Sequence, residues 1–154
     1  MHRRVYQRHL IVIIKTRHTG LVVKEIDKSI KFYLGLGLKV WKRELERGSF
    51  LSQVVGIEDA EIETAKLKIK DGTLLELLEY KSHPTDPPNS NYFSNKHGCS
   101  HVAFTVDNIE ETSSKIISLG GSIVNPPALS DNGCFKVMYC HDIDGILMEI
   151  VEEL

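Results

Sequence analysis

Two stretches of this chain repeat one short pattern in the same order. Residues 71–76 and 144–149 both follow Asp-Gly-x-Leu-x-Glu. Upstream lie His18 and His101, each followed by a valine five residues later and an isoleucine eight residues later. A histidine segment and a glutamate segment that recur together predict two copies of one structural unit. They also predict a site with two histidines and two carboxylates.

The composition limits the class of protein. In a chain of 154 residues, 42% hydrophobic and 26% charged residues are typical of a soluble globular protein. A net charge of −2 gives no electrostatic reason to expect nucleic acid or an anionic membrane as partner. The longest apolar run is too short to span a membrane, and no signal peptide is indicated. Three cysteines without zinc or redox spacing fit a reducing cytosol, so we expect a cytoplasmic protein.

The first half of the chain predicts one structural module, over residues 11–81. Its apolar residues alternate in the strands, and they recur at helical spacing in one segment that two glycines end. A turn at Asp71-Gly72 joins the last two strands. The predicted elements are a strand at 11–23, a helix at 27–34, a strand beginning at Leu38, and strands at 50–56, 64–70 and 73–80.

The second half repeats this order over residues 99–154. Residues 82–98 are rich in proline and polar residues and are interpreted as a linker, and residues 1–10 form a basic N-terminal extension. Together the halves predict an α+β fold of paired βαβββ modules, in which pairing of the halves buries the sheet faces that the helices leave open. The predicted elements are a strand at 99–106, a helix at 108–119 with Asp107 as N-cap, and strands near 121–124, 134–140 and 146–152.

Strand alternation places the repeated glutamates on apolar faces. Glu76 shares its face with Leu74 and Leu78, and Glu149 occupies the equivalent place in the second copy. A lone carboxylate on such a face is costly unless it is paired or bound to a cation. The faces that carry His18 and His101 bear small side chains, which leaves room for a cavity.

Two imidazoles and two carboxylates suit a divalent ion such as zinc, nickel, cobalt, manganese or iron. Four protein ligands on an ion that accepts six leave two positions for water or substrate, as in a catalytic site. Any single inward histidine is more often a hydrogen-bonded core residue, but the duplication favours a metal site built from His18, Glu76, His101 and Glu149. Glu79 and Glu152 are also duplicated; alternation places them on the opposite face, where we expect them to meet solvent.

At these residues the chain resembles the vicinal oxygen chelate superfamily, which includes glyoxalase I (lactoylglutathione lyase), methylmalonyl-CoA epimerase, fosfomycin- and bleomycin-resistance proteins and extradiol dioxygenases. The resemblance covers about residues 15 to 153 and is specific for the superfamily. The segments that carry it are 17–23 with 27–33, 75–79, 100–106 and 142–149.

The resemblance implies curved sheets that form a metal-binding cleft, with ligands at His18, Glu76, His101 and Glu149. It implies a lyase or isomerase of the glyoxalase type that transfers a proton next to a carbonyl through a metal-bound enediolate. Glu149 would be the general base, and Glu76 its partner or a fixed ligand. It further implies a small-molecule substrate and a homodimer, and leaves open whether the cleft forms within one chain or across two.

Departures from the family patterns bear on the activity. Val22 stands where glutathione-binding members often carry arginine, and Glu76 stands where the epimerase usually has glutamine. No histidine lies within 129–138, which argues against ring cleavage by a dioxygenase. The alternatives are an epimerase-like isomerase of an acyl-CoA, a ligand-binding or resistance protein without turnover, and an iron-dependent dioxygenase. The segments expected to select the substrate, 42–50, 81–98 and 126–134, have no readable motif.

Overall fold

The structure, a computed structural model, describes residues 13–86 and 94–154. The predicted N-terminal extension and residues 87–93 of the predicted linker lie outside the described residues. Within the described ranges, no helix has the length and apolar character needed to cross a membrane.

The first module is a four-stranded sheet with one helix on its inner face. The sheet order is β1-β4-β3-β2, with β1 parallel to β4 and the other pairs antiparallel. Helix α1 buries Ile26, Ile30 and Tyr33, which recur at helical spacing and so form one face. The elements are β1 (Thr19–Val22), α1 (Ile26–Gly35), β2 (Lys39–Arg47), α2 (Ser49–Val55), β3 (Glu61–Lys68) and β4 (Leu74–Tyr80).

The second module repeats the arrangement. Its sheet order is β5-β9-β8-β6, β5 is parallel to β9, and an additional short strand, β7, pairs with β8. The predicted fold class, paired α+β modules with curved sheets, is therefore confirmed. The elements are β5 (Val102–Thr105), α3 (Ile109–Ser118), β6 (Ser122–Ile123), β7 (Ala128–Leu129), β8 (Phe135–His141) and β9 (Leu147–Glu153).

The two modules share one core on the helix-bearing sides of their sheets. Buried residues of α1, among them Phe32 and Tyr33, belong to the same apolar cluster as Ile116 of α3 and Met148 of β9. A Cβ added at Gly121 would lie 2.6 Å from a backbone oxygen and 3.1 Å from the Phe32 ring, so glycine permits this close packing. The expectation that the halves pair through their other faces was wrong, since buried residues of both helices and both sheets belong to this one apolar cluster.

Polar side chains fix the junction between the modules. The buried Tyr33 hydroxyl of α1 donates to Asp142 Oδ2 over 2.7 Å, and Ser29 Oγ donates to Asp144 Oδ2 over 2.8 Å. The other oxygen of Asp142 accepts from the backbone N–H groups of Asp144 and Ile146. The loop before β9 is thereby bonded to the helix of the other module.

The segment predicted as a strand at 50–56 is instead helix α2. Gly48 (φ 105°) precedes it and Gly56 (φ 72°) ends it, both in backbone conformations that favour glycine. Leu51 packs with Ile62 in a small cluster separate from the main core. This burial outweighs the strand preference of the segment's β-branched residues.

Two predicted boundaries also change. Of the strand predicted at 11–23, residues 11 and 12 lie outside the described residues, and only Thr19–Val22 is strand. Helix α3 is capped by Asn108, whose side chain accepts from the backbone N–H of Glu111, so the prediction of Asp107 as N-cap was wrong.

Candidate metal centre and active site

The first histidine–glutamate pair lies on the outer face of the first sheet. His18 immediately precedes β1, and Gly20 on the same face is the register partner of Glu76 in β4. The His18 Nε2 atom lies 2.8 Å from Glu76 Oε2. Glu76 is 8% exposed, and its other carboxylate oxygen lies 3.2 Å from Lys66 Nζ. As predicted, Glu76 is not a lone carboxylate on its apolar face, because His18 and Lys66 are both its partners.

The second pair has the same construction. His101 immediately precedes β5, and Ala103 is the register partner of Glu149 in β9. The His101 Nε2 atom lies 2.9 Å from Glu149 Oε2. The His101 ring meets the ring of Tyr139 edge-on, with centroids 5.1 Å apart and an interplanar angle of 78°. Burial and the nearby Glu149 carboxylate raise the pKa of Tyr139.

The two pairs do not meet within one chain. Among residues 13–86 and 94–154, no group of three or more histidine, cysteine, aspartate or glutamate side chains is placed to hold one metal ion. Each pair lies on the sheet face that is turned away from the shared core, because the core residues of β4 and β9 alternate with Glu76 and Glu149. A single chain therefore presents two half-sites, each with one imidazole and one carboxylate.

The donor set of each half-site fits a divalent metal ion. Two ligand atoms at about 2.1 Å from one ion, on neighbouring positions, lie about 3 Å apart. The histidine and glutamate atoms of both pairs are spaced at 2.8 and 2.9 Å. A ligating histidine commonly has a partner on its other nitrogen: His101 Nδ1 has Ser100 Oγ at 3.0 Å, whereas His18 Nδ1 is buried without a hydrogen-bond partner. Each histidine–glutamate pair can therefore supply half of the four ligands of a divalent metal ion.

The duplicated glutamates Glu79 and Glu152 have a structural role that the sequence analysis missed. Glu79 Oε2 accepts from the backbone N–H of Ile26 over 2.8 Å, and Glu152 Oε2 accepts from that of Ile109 over 2.9 Å. Each carboxylate therefore holds the first residue of its module's helix, where a negative charge is favourable. The expectation that both meet solvent was wrong. Their recurrence three residues after each site glutamate was the available signal.

Lys66 was also missed as a site residue, although the repeat contains the signal. The turns that begin at Asp71 and Asp144 place residues five before and five after the aspartate opposite one another. The partner of Glu76 is therefore Lys66, and the partner of Glu149 is Tyr139. Lys66 therefore belongs to the first half-site, where its ammonium group contacts Glu76.

The match to a family model decides the classification. The model of the glyoxalase/bleomycin resistance protein/dioxygenase superfamily matches residues 15–150. The chain belongs to this superfamily. All four predicted ligands fall inside the matched range, and the resemblance inferred from their segments is confirmed.

Three proteins show how this chain compares with relatives and with solved structures. A Synechocystis protein named probable lactoylglutathione lyase is 27% identical over 138 residues, which cover 88% of this chain and 92% of that protein. The crystal structure of a glyoxalase family protein from Bacillus cereus aligns with a TM-score of 0.85 and 26% identity, over 92% of this chain and 95% of that one. A fosfomycin resistance protein from Listeria monocytogenes, solved with Mn(II) and sulfate, aligns with a TM-score of 0.61 and 16% identity, over 92% and 94%.

Proposed function

We propose that this superfamily member is a metal-dependent lyase or isomerase of the glyoxalase type, which transfers a proton next to a carbonyl of a small-molecule substrate. The duplicated histidine–glutamate pair carries the proposal. A metal-independent fold would have no need to place an imidazole and a carboxylate within 3 Å on both sheets, at the same register position. The activity named for the Synechocystis relative supports the same class of reaction.

We propose that the complete site joins two copies of the chain. His18 and Glu76 of one copy would hold the ion together with His101 and Glu149 of the other. A two-fold symmetric dimer would contain two such sites, because each copy offers one half-site of each kind. The absence of any three-ligand group among the described residues of one chain supports this arrangement. The Mn(II) in the Listeria protein supports a divalent ion as the cofactor.

The residues divide the chemistry between them. When bound, a divalent ion supplies positive charge that stabilises the negative charge developing on a carbonyl oxygen. Glu149 accepts the proton from the adjacent carbon and can return it to the neighbouring carbon. Its side chain is 24% exposed and can reach substrate, whereas Glu76, at 10%, is more enclosed. His101 fixes the position of the Glu149 carboxylate through their contact.

The proposal is tested by metal content and by isotope exchange. Protein made without a histidine tag is expected to bind zinc, nickel, cobalt, manganese or iron, measured by elemental analysis. With metal, it should incorporate deuterium from D₂O into an α-oxo aldehyde adduct of glutathione or into an acyl-CoA thioester. Glu149→Gln should lower the incorporation about 100-fold or more. Glu153→Gln, an exposed residue on the same face of β9, is the matched control and should leave it unchanged.

Two results would reject the proposal. The first is protein that neither retains nor rebinds a divalent ion. The second is metal-loaded protein that incorporates no deuterium with either class of probe, together with thermal stabilisation by ligand that a chelator does not alter, since that combination describes a binding protein without turnover.

A further inference from the structure

The two half-sites have the same histidine–glutamate contact, but they differ in the residue that stands opposite the glutamate on the adjacent strand. In the first, Lys66 of β3 stands opposite Glu76, and Nζ lies 3.2 Å from Oε1. In the second, Tyr139 of β8 occupies the corresponding position opposite Glu149 and packs against the His101 ring. The repeat therefore carries a charged residue in one copy and a neutral residue in the other, at the position beside the glutamate.

Lys66 contacts the carboxylate oxygen of Glu76 that does not face His18. One carboxylate oxygen of Glu76 faces the His18 imidazole, and the other faces the Lys66 ammonium. Within the described residues, Glu149 forms no ion pair with a lysine or an arginine. A carboxylate with both oxygens engaged is held in place and has less capacity to take a proton from a substrate carbon.

Among the described residues, Lys66 is the only lysine that forms an ion pair with Glu76, although Lys42 lies beside it. Lys42 of β2 is the register partner of Lys66 and shares the same face of the sheet. The Lys42 ammonium is committed to Glu44, whose Oε2 lies 2.7 Å away. Lys42 is also more exposed than Lys66: 49% of its side chain is accessible to solvent, compared with 22% for Lys66. The chain thus offers a matched control lysine on the same sheet face.

We infer that Lys66 is a positioning residue that holds Glu76 as a fixed anionic ligand and thereby leaves proton transfer to Glu149. The inference rests on the proposed function. On this inference, the different roles of Glu76 and Glu149 depend on Lys66 in β3, which lies outside the repeated histidine and glutamate segments.

The ion pair is tested first without metal or substrate. In metal-free protein labelled with ¹⁵N and ¹³C, the Lys66 Nζ resonance, identified by its loss in Lys66→Met, should be sharp because the ammonium is held by Glu76. Glu76→Gln should broaden or abolish this resonance, whereas Glu149→Gln should leave it unchanged. A Lys66 resonance that does not respond to Glu76→Gln would overturn the inference.

The division of roles is tested by deuterium exchange in the Glu149→Gln background, with the glutathione adduct of methylglyoxal as probe. Adding Lys66→Met should raise exchange about tenfold over Glu149→Gln alone, because the released Glu76 can accept the proton. Lys66→Arg and Lys42→Met in the same background should not raise it, and a further Glu76→Gln should abolish the gain.

The outcomes separate the inference from the function on which it rests. If Lys66→Met gives no gain while the wild type exchanges and Glu149→Gln does not, the proposed function stands and the inference fails. If the metal-loaded wild type gives no exchange with either class of probe, the proposed function fails. The resonance experiment then still decides whether Lys66 holds Glu76.

Discussion

The Tyr33 hydroxyl donates a 2.7 Å hydrogen bond to Asp142 across the junction of the two modules. Both groups are buried, so breaking the bond costs free energy because water cannot replace the lost partner. The same carboxylate accepts two backbone N–H groups in the loop before β9. One bond thus links α1 to the loop that begins the repeated Asp-Gly turn.

Tyr33→Phe should lower the free energy of unfolding by about 1–3 kcal/mol, since it leaves a buried carboxyl without one of its donors. Urea denaturation monitored by circular dichroism measures this loss. Tyr80→Phe is the matched control, because the Tyr80 hydroxyl donates no hydrogen bond within the described part of the chain; it should change stability by less than about 0.5 kcal/mol. Equal effects of the two variants would contradict the account.

Asp142 should also produce a measurable pH dependence. Burial raises the pKa of Asp142 above its usual value, although the bond from Tyr33 partly opposes this. The folded protein then keeps the proton to a higher pH than the unfolded chain does. Between an unfolded pKa of about 4 and the higher folded pKa, the free energy of unfolding contributed by Asp142 should therefore fall as pH rises.

Asp142→Asn should flatten that part of the stability profile, as measured by urea titrations from the acidic side to neutrality. Asp131→Asn, which alters an exposed turn residue, should leave the slope as in the wild type. An Asp142→Asn profile parallel to the wild-type profile would show that this carboxyl does not titrate differently in the folded and unfolded states.

Glu152→Ala should destabilise the protein by about 1 kcal/mol, because the backbone N–H of Ile109 at the start of α3 loses its acceptor. Glu153→Ala, the exposed neighbour in β9, should change stability by less than about 0.5 kcal/mol. Thermal unfolding of the two variants measures the difference. A Glu153 effect as large as that of Glu152 would argue against the helix anchor.

Gly121→Ala should be among the more damaging single changes, at about 1–3 kcal/mol. The added methyl group would lie 2.6 Å from the His141 backbone oxygen and 2.8 Å from an Ile116 methyl group. Gly20→Ala is the matched control, since its nearest neighbour would be a Leu78 methyl group at 3.4 Å. Comparable stability of both variants in urea would contradict the tight packing around Gly121.

The repeat predicted most of the fold because each copy combines a helical period, alternating strands and an Asp-Gly turn. It predicted which glutamates share a face with the site histidines, since alternation has a period of two residues. It could not predict α2, because Leu51 is buried by tertiary contacts that override the local strand preference.

Tertiary contacts also decided what the sequence left ambiguous. Glu79 and Glu152 stand on the face opposite the site, and only the position of the helices shows that they bind α1 and α3 rather than water. Likewise, alternation places Glu76 and Glu149 on corresponding faces, but it does not show that these faces point away from a common core. The packing of α1 against the second module determines that.

In the proposed dimer, the four metal ligands are divided between two copies of the chain. This division is tested most directly by mixing two defective variants, His18→Ala/Glu76→Ala and His101→Ala/Glu149→Ala, co-expressed with different tags that do not bind metal. In a mixed dimer, one site would regain all four ligands and the other would have none. We predict that neither variant alone binds zinc tightly in calorimetry, whereas the purified mixed dimer binds one ion per two chains. A mixed dimer that binds no better than the separate variants, or a monomeric wild type that binds one ion with all four residues, would contradict this division.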